Sequence, residues 1–248
     1  KTIGFPILVK ASAGGGGIGM QIANDYSQLK EVIEKTKNLA GKAFGNSDIF
    51  LEKYIANARH IEIQIFGYGE KKAIHLYERD CSLQRRFQKI IEESPAPNIA
   101  RETINQMSEC AVNFASNQKY EGAGTVEFVY DIDSKKFYFL EMNTRIQVEH
   151  PVTEQITGLD LVEMQIKFAL KINDYILQQN KIFRSGHAIE CRLYAEDPSK
   201  NFLPSPGKIS KLSVPELTNN DRLDIGVDEG DEISFYYDPM IAKVITRG

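Results

Sequence analysis

The sequence predicts an α+β protein, with a largely antiparallel sheet and helices on its faces. Three observations carry this. His60-Ile61-Glu62-Ile63-Gln64-Ile65 alternates polar and apolar residues, the period of a strand. Residues 125–130 and 136–141 are strand-forming runs on either side of Asp131-Ile132-Asp133-Ser134, a turn composition that makes them a hairpin. Ile104, Met107, Ala111 and Phe114 recur at helical spacing through residues 101–119.

Residues 7–12 read as a short strand, followed by a glycine loop from Ala13 to Gly19. Ser27 caps a helix running to Lys42, with Leu29, Val32, Ile33 and Leu39 or Ala40 facing inward. A strand over 49–54 ends at a lobe boundary. In the strand over 60–66, His60, Glu62 and Gln64 share one face and the isoleucines the other. Residues 73–77 pair with it across Gly67-Tyr68-Gly69. After the helix over 101–119 and the hairpin come a helix over 160–171, a strand over 187–194 and a strand-like run over 240–245.

The 248 residues are enough to bury a substantial core, as one large domain or two lobes. A net charge of −4 argues against a broad nucleic-acid footprint, and no apolar run approaches membrane-spanning length. Cys81, Cys110 and Cys191 are widely spaced and odd in number, and read as reduced thiols. The chain opens without Met almost directly on a strand and stops just after another, as a piece of a larger polypeptide would.

Four groups of residues point to chemistry. Lys10 precedes Gly14-Gly15-Gly16-Gly17, whose free backbone N–H groups suit a mobile flap over a nucleotide, although a glycine run alone is also a plain turn. Glu127 lies roughly opposite Glu141 in the predicted hairpin, with Asn143 on the same face. Like charges facing each other destabilise a hairpin unless neutralised, and these hard oxygen donors suit Mg²⁺ or Mn²⁺. The run from Glu78 to Lys89 is either a solvated, salt-bridged strand edge or an anion-binding segment through Lys89 and Gln84. Arg145 and Glu149, with Gln147 and Val148, either hold and deprotonate a small oxyanion or form an internal ion pair.

These stretches occur in one order: Lys10 with its glycines, Glu52-Lys53-Tyr54-Ile55, Arg59 to Gln64, Glu78 to Arg86, and Glu141 to Glu154. With Ile189 to Glu196, Phe202 to Gly207 and Tyr237 to Lys243, they make the whole chain resemble the biotin carboxylase component of biotin-dependent carboxylases, within the ATP-grasp superfamily. The resemblance implies an ATP-grasp fold with a small flap lobe over 1–54, a larger catalytic lobe over 55–184, and a truncated C-terminal region over 185–248. It implies that ATP phosphorylates bicarbonate to carboxyphosphate, which delivers CO₂ to biotin tethered on a carrier domain.

By the same resemblance, Lys10, Gly16 and Gly17 hold the ATP phosphates. Glu52, Lys53, Tyr54 and Ile55 grip adenine, with His60 and Gln84 near the nucleotide. Glu127, Glu141 and Asn143 hold Mg²⁺ or Mn²⁺. Lys89, Arg145, Gln147 and Val148 surround bicarbonate, Glu149 is its base, and Arg192 stabilises the biotin enolate. The implied partners are a biotin carboxyl carrier domain, a carboxyltransferase, and a second copy in a homodimer of the full-length protein, with no nucleic acid or membrane. The implied compartment is the cytoplasm, or the mitochondrial matrix in a eukaryote.

Ile18 stands where acyl-CoA carboxylases carry a basic residue and matches urea carboxylases. Phe87 replaces a polar residue near the nucleotide. The family also has a lobe upstream of Lys1, so the segment alone is expected to be inactive or nearly so. The Arg222 to Asp231 run favours an acyl-CoA carboxylase. The alternatives are a urea or pyruvate carboxylase, or an impaired nucleotide-binding module.

Overall fold

A computed structural model of the chain describes residues 3–13, 19–172 and 176–248. It divides into two compact units. The smaller comprises the described residues of Lys1–Ala58 together with Gln84–Gln88 and Asp131–Lys135. Its strands β1 (Ile7–Ala11), β2 (Met20–Ala23) and β3 (Ile49–Lys53) form an antiparallel sheet in the order β2-β1-β3. Alternate β1 residues Ile7, Val9 and Ala11 are buried. Helix α1 (Tyr26–Phe44) packs on this sheet and buries Thr36 and Ala40, while Leu29, Val32 and Ile33 are half-buried. Its cap is Asp25, where Ser27 was expected. The Asp25 carboxylate accepts from Gln28 N at 3.0 Å and from the Ser27 hydroxyl at 2.5 Å, and carboxylate and hydroxyl caps serve the same orphan amides.

The larger unit is built on an eight-stranded sheet. In chain order its strands are β4 (Ala58–Tyr68), β5 (Ala73–Arg85), β6 (Gln88–Ser94), β7 (Glu121–Asp131), β8 (Lys136–Asn143), β9 (Ala188–Tyr194), β10 (Asp221–Ile225) and β11 (Met240–Arg247). Their spatial order is β10-β11-β9-β6-β5-β4-β7-β8. On one face, α2 (Arg101–Asn117) buries Ile104, Met107, Ala111 and Ala115 against Ile61, Ile63 and Ile65 of β4 and Val126, Phe128 and Tyr130 of β7. Phe114, expected on that face, is 40 % exposed, and Ala115 takes the inner position. Helices α3 (His150–Thr157) and α4 (Leu161–Ala169) complete the unit. Leu161 and Met164 of α4 pack with Phe66 and Leu76, and Val152 and Ile156 of α3 with Ala188 and Ile245.

The alternation in β4 sets its two faces as expected, but the polar face is not solvated. Glu62 and Gln64 are as fully buried as the isoleucines. The apolar strand over 137–140 becomes β8, the outermost strand, which sends Phe137 and Met142 onto the core and leaves Tyr138 and Phe139 exposed. The β4–β5 turn falls at Gly69–Lys71, slightly later than expected. Gly67 has a packing role instead: a Cβ there would lie 2.0 Å from the Tyr120 carbonyl oxygen. Gly67→Ala should therefore cost about 1–3 kcal/mol by overpacking, seen as a lower thermal unfolding midpoint; an unchanged midpoint would refute this close approach.

Candidate active site

The buried polar face of β4 is the floor of a charge cluster in the larger unit. Glu62 and Arg79 are direct cross-strand partners on β4 and β5. Opposite charges at such a pair attract across the ladder. Arg79 is fully buried and uses its whole fork. Its Nε donates to Glu62, Nη1 to Gln64 Oε1 at 2.6 Å and Thr153 Oγ1 at 2.9 Å, and Nη2 to Thr125 Oγ1 at 3.2 Å and Gln147 Oε1 at 3.4 Å. A guanidinium taken out of water needs this many acceptors.

Lys89, on β6, stands above it. Its ammonium meets Glu62 Oε2 at 2.6 Å, Glu127 Oε1 at 2.9 Å and Glu149 Oε1 at 2.6 Å. Three of the most buried carboxylates thus converge on one cation. Glu127 Oε1 also accepts from Asn143 Nδ2 and Gln147 Nε2, each at 3.0 Å. His60 Nε2 lies 3.1 Å from Glu127 Oε2. The other oxygen of Glu149 accepts from Arg192 Nη2 at 2.9 Å, and Arg192 Nε donates to Glu92 Oε1 at 2.7 Å. Glu149 immediately precedes α3, which carries Pro151 in its first turn; the Val148 carbonyl beside it accepts from Lys243 Nζ at 2.9 Å.

The electrostatics follow from this packing. Burial alone would raise the Glu62 carboxyl, but Arg79 and Lys89 override it and bring it down to about 2. Burial opposes ionisation of Glu127 too, and the His60 contact and Lys89 hold it well below the usual carboxylate range. Burial would lower Lys89, yet the surrounding carboxylates push it well above the ordinary lysine value. The Cys81 thiol, fully buried beside the same carboxylates, is raised and stays protonated.

Ligating atoms of His60, Glu62 and Glu127 lie within 4.8 Å of one another, as do those of Glu62, Cys81 and Glu149. In both groups the Lys89 ammonium already neutralises carboxylates, so an ion there would have to displace it. The donor set at the rim fits a hard divalent cation better. Glu127 and the exposed Glu141 are joined through Asn143, which lies 3.4 Å from Glu141 Oε1. These are oxygen-bearing side chains at one sheet edge, and the amide can present either atom.

His60, Lys89, Glu127, Asn143, Gln147, Glu149 and Arg192 are therefore brought together. Arg145 is not joined to Glu149: it is exposed and donates to the Ile146 carbonyl, while Glu149 is held by Lys89 and Arg192. In the smaller unit, Lys10 pairs with Glu52 at 3.1 Å and lies over the Phe50 ring. Lys53 is exposed; Tyr54 is anchored through its N–H to the Pro6 carbonyl, and Ile55 is half-buried. Gln84 is half-buried near the end of β5. Gly16, Gly17 and Ile18 lie outside the described residues. Sequence reasoning missed Arg79, Glu62, Gln64, Thr125, Thr153 and Glu92; the one available signal was the polar set Glu62 and Gln64 in a strand otherwise made of isoleucine.

Residues 1–175 match the family described as the ATP binding domain of the carbamoyl-phosphate synthase L chain, and residues 190–248 the biotin carboxylase C-terminal domain. Biotin carboxylase 1 of Bacillus subtilis is 50% identical over 248 residues, covering 100% of this chain and 55% of that protein. The mitochondrial methylcrotonoyl-CoA carboxylase subunit alpha of Mus musculus is 49% identical over 243 residues, covering 98% of this chain and 34% of that one. A crystal structure of Campylobacter jejuni biotin carboxylase in a β-γ-ATP complex superposes with a TM-score of 0.92 at 45% identity, over 99% of this chain and 54% of that one. The chain thus spans about half, or a third, of the curated relatives it matches. It belongs to the biotin carboxylase domains of the ATP-grasp family.

Proposed function

We propose that this domain, within its full-length protein, carboxylates biotin on a carrier domain using ATP and bicarbonate through carboxyphosphate. The observation that carries the reading is Glu149, a buried carboxylate with Lys89 on one oxygen and Arg192 on the other. A base held between two cations suits a small oxyanion that must be bound and deprotonated. A relative from Hydrogenobacter thermophilus, 46% identical with a TM-score of 0.92, is described in complex with MgADP, ADP and bicarbonate.

Lys10, Gly16 and Gly17 bind the ATP phosphates, and Glu52, Lys53, Tyr54 and Ile55 the adenine, with His60 and Gln84 near the nucleotide. Glu127, Glu141 and Asn143 hold Mg²⁺ or Mn²⁺, which when bound neutralises phosphate charge. Lys89, Arg145, Gln147 and Val148 surround bicarbonate, Glu149 takes its proton, and Arg192 stabilises the biotin enolate. The working organisation is a flap lobe over 1–54, a catalytic lobe over 55–184 and a C-terminal region from 185, with flap closure excluding water from labile carboxyphosphate.

The partners in this reading are a carrier domain, a carboxyltransferase and a second copy of the chain. An acyl-CoA acceptor is favoured by the Arg222 to Asp231 run and by the similarity to methylcrotonoyl-CoA carboxylases. The compartment is the cytoplasm or the mitochondrial matrix, since bacterial and mitochondrial relatives both match. No helix among the described residues is long and apolar enough to cross a membrane.

Arg145, exposed and bound only weakly to its own neighbour's carbonyl, is available to a ligand. In the full-length protein Arg145→Ala should lower turnover by about 10²-fold, with a much smaller change in the KM for ATP, because it removes charge stabilisation around the oxyanion. Steady-state ADP release checks this, and unchanged turnover would remove Arg145 from the site.

A further inference from the structure

Behind Arg192 lies a second pair of carboxyl groups that the reaction above does not use. Glu92 of β6 and Glu190 of β9 are direct cross-strand partners, and both are fully buried. Glu92 Oε1 accepts the Arg192 Nε–H at 2.7 Å. Among the described residues, Glu92 Oε2 and both oxygens of Glu190 have no hydrogen-bond partner. Two negative charges directly opposite one another, with three carboxylate oxygens left bare, would be strongly unfavourable in a buried sheet.

Among the described residues, no cation bonds these three oxygens. Lys243 of β11, the cross-strand partner of Arg192, donates to the Val148 carbonyl at 2.9 Å and pairs with Asp224 of β10 at 3.1 Å. Arg192 also donates to Glu149 at 2.9 Å. The other titratable groups acting on the pair are Glu62 of β4, Glu149 beside α3, and Cys191 and Tyr194 of β9 itself.

We propose that Glu92 and Glu190 share a proton and together position Arg192: Glu92 carries the charge that holds its Nε–H, and Glu190 is the neutral acid behind it. The proton on Glu190 supplies the donor that the bare Glu92 oxygen lacks. Arg192 is then gripped from two sides, by Glu92 and by Glu149, with its guanidinium plane fixed beside the base. This deepens the preceding reading and rests on Glu149 and Arg192 acting as described there.

The electrostatics agree. Burial, reinforced by Glu92 against the opposing pull of Lys243, raises Glu190 from 4.5 to about 8. Burial raises Glu92 to about 7 despite Arg192. A carboxyl raised on folding contributes stability that is fully present below its unfolded value and is lost as pH rises through its folded one. The native protein should therefore lose thermal stability from about pH 5 to 8, and Glu190→Gln should remove part of that loss. Above the pair's titration a second charge forms, draws Arg192 away from Glu149, and turnover falls.

The test is a pH titration of the full-length protein carrying ¹³Cδ-labelled glutamate, followed by NMR. The expected result is a glutamate carboxyl that keeps its proton to near-neutral pH and is absent from Glu190→Gln. In parallel, Glu92→Gln should lower bicarbonate-dependent turnover by about 10-fold or more while sparing the KM for ATP. Glu190→Gln should move the alkaline fall in turnover to higher pH, which a purely structural role would not do. If every glutamate is ionised well below neutrality, or the late-titrating carboxyl persists in Glu190→Gln, the pair does not share a proton and the proposal is overturned. The NMR result stands whether or not the protein turns over, so its failure is distinct from failure of the carboxylase reading. Should Glu190→Gln fail to fold, the same titration of Glu92→Gln decides: the proposal requires the late-titrating signal to change its midpoint there, and an unmoved signal overturns it.

Discussion

Replacing Arg79 with Ala should destabilise the larger unit by about 3–5 kcal/mol, the cost of breaking a buried charge pair. That is a large fraction of the roughly 5–15 kcal/mol that holds a typical domain together. The side chain is fully buried and bonds Glu62, Gln64, Thr153, Thr125 and Gln147. Truncation leaves Glu62 with Lys89 as its remaining hydrogen-bonded cation and strands four polar side chains that water cannot reach. Because Gln147 and Thr153 lie on either side of Glu149, the loss should also loosen the segment that carries Glu149. Arg79→Lys keeps the charge but not the fork, so it should recover only part of the deficit. Denaturant unfolding measures both variants; a loss below about 1 kcal/mol in Arg79→Ala would mean the cluster does not organise the unit.

Glu149→Gln should have the largest effect on chemistry, lowering bicarbonate-dependent turnover by about 10²–10⁴-fold. Glutamine keeps the shape and one acceptor but cannot take a proton. The fold should survive, since Lys89 retains Glu62 and Glu127, and Arg192 retains Glu92. Nucleotide binding should be little changed, because Glu149 is not among the residues proposed to bind ATP. The checks are ADP release with saturating bicarbonate and nucleotide binding by calorimetry. Turnover within about twofold of the native value would exclude Glu149 as the base.

Much of the scaffold was legible in the sequence because its elements carry strong local signals. The β7–β8 hairpin is announced by its Asp-rich turn, and α2 by apolar spacing that the structure places within two residues of expectation at its C-terminus. Where local signals were weak or shared, the reading fell short. Helix α3 is one short element whose first residues also belong to the charged motif, so no helix was expected there, although Pro151 in its first turn and Gly158 at its end, with φ 70°, bracket it. Strand β6 was hidden because its turn is Arg86-Phe87, both in the left-handed region at φ 51° and 66°, where glycine or asparagine would have been the signal.

The site shows the same division. Lys89, Glu127, Gln147 and Glu149 were found as separate candidates, yet their convergence depends on strand order β9-β6-β5-β4-β7, which no local pattern encodes. The role of Arg79 was invisible for the same reason. In sequence it sits in the polar run Glu78-Arg79-Asp80, which is ordinary for a solvated edge, and only burial by 147–153 makes it the keystone of the floor.

Glu149, held between Lys89 and Arg192, is proposed to activate bicarbonate for ATP-dependent carboxylation of biotin. The measurement that tests it most directly is ADP release by the full-length protein with Mg²⁺ and free biotin, with and without bicarbonate. Release that requires bicarbonate and rises with biotin is the result expected. ATP binding without release under any of these conditions would contradict it, and would make the domain a nucleotide-binding module in which the exposed Phe87 takes the place of a polar contact.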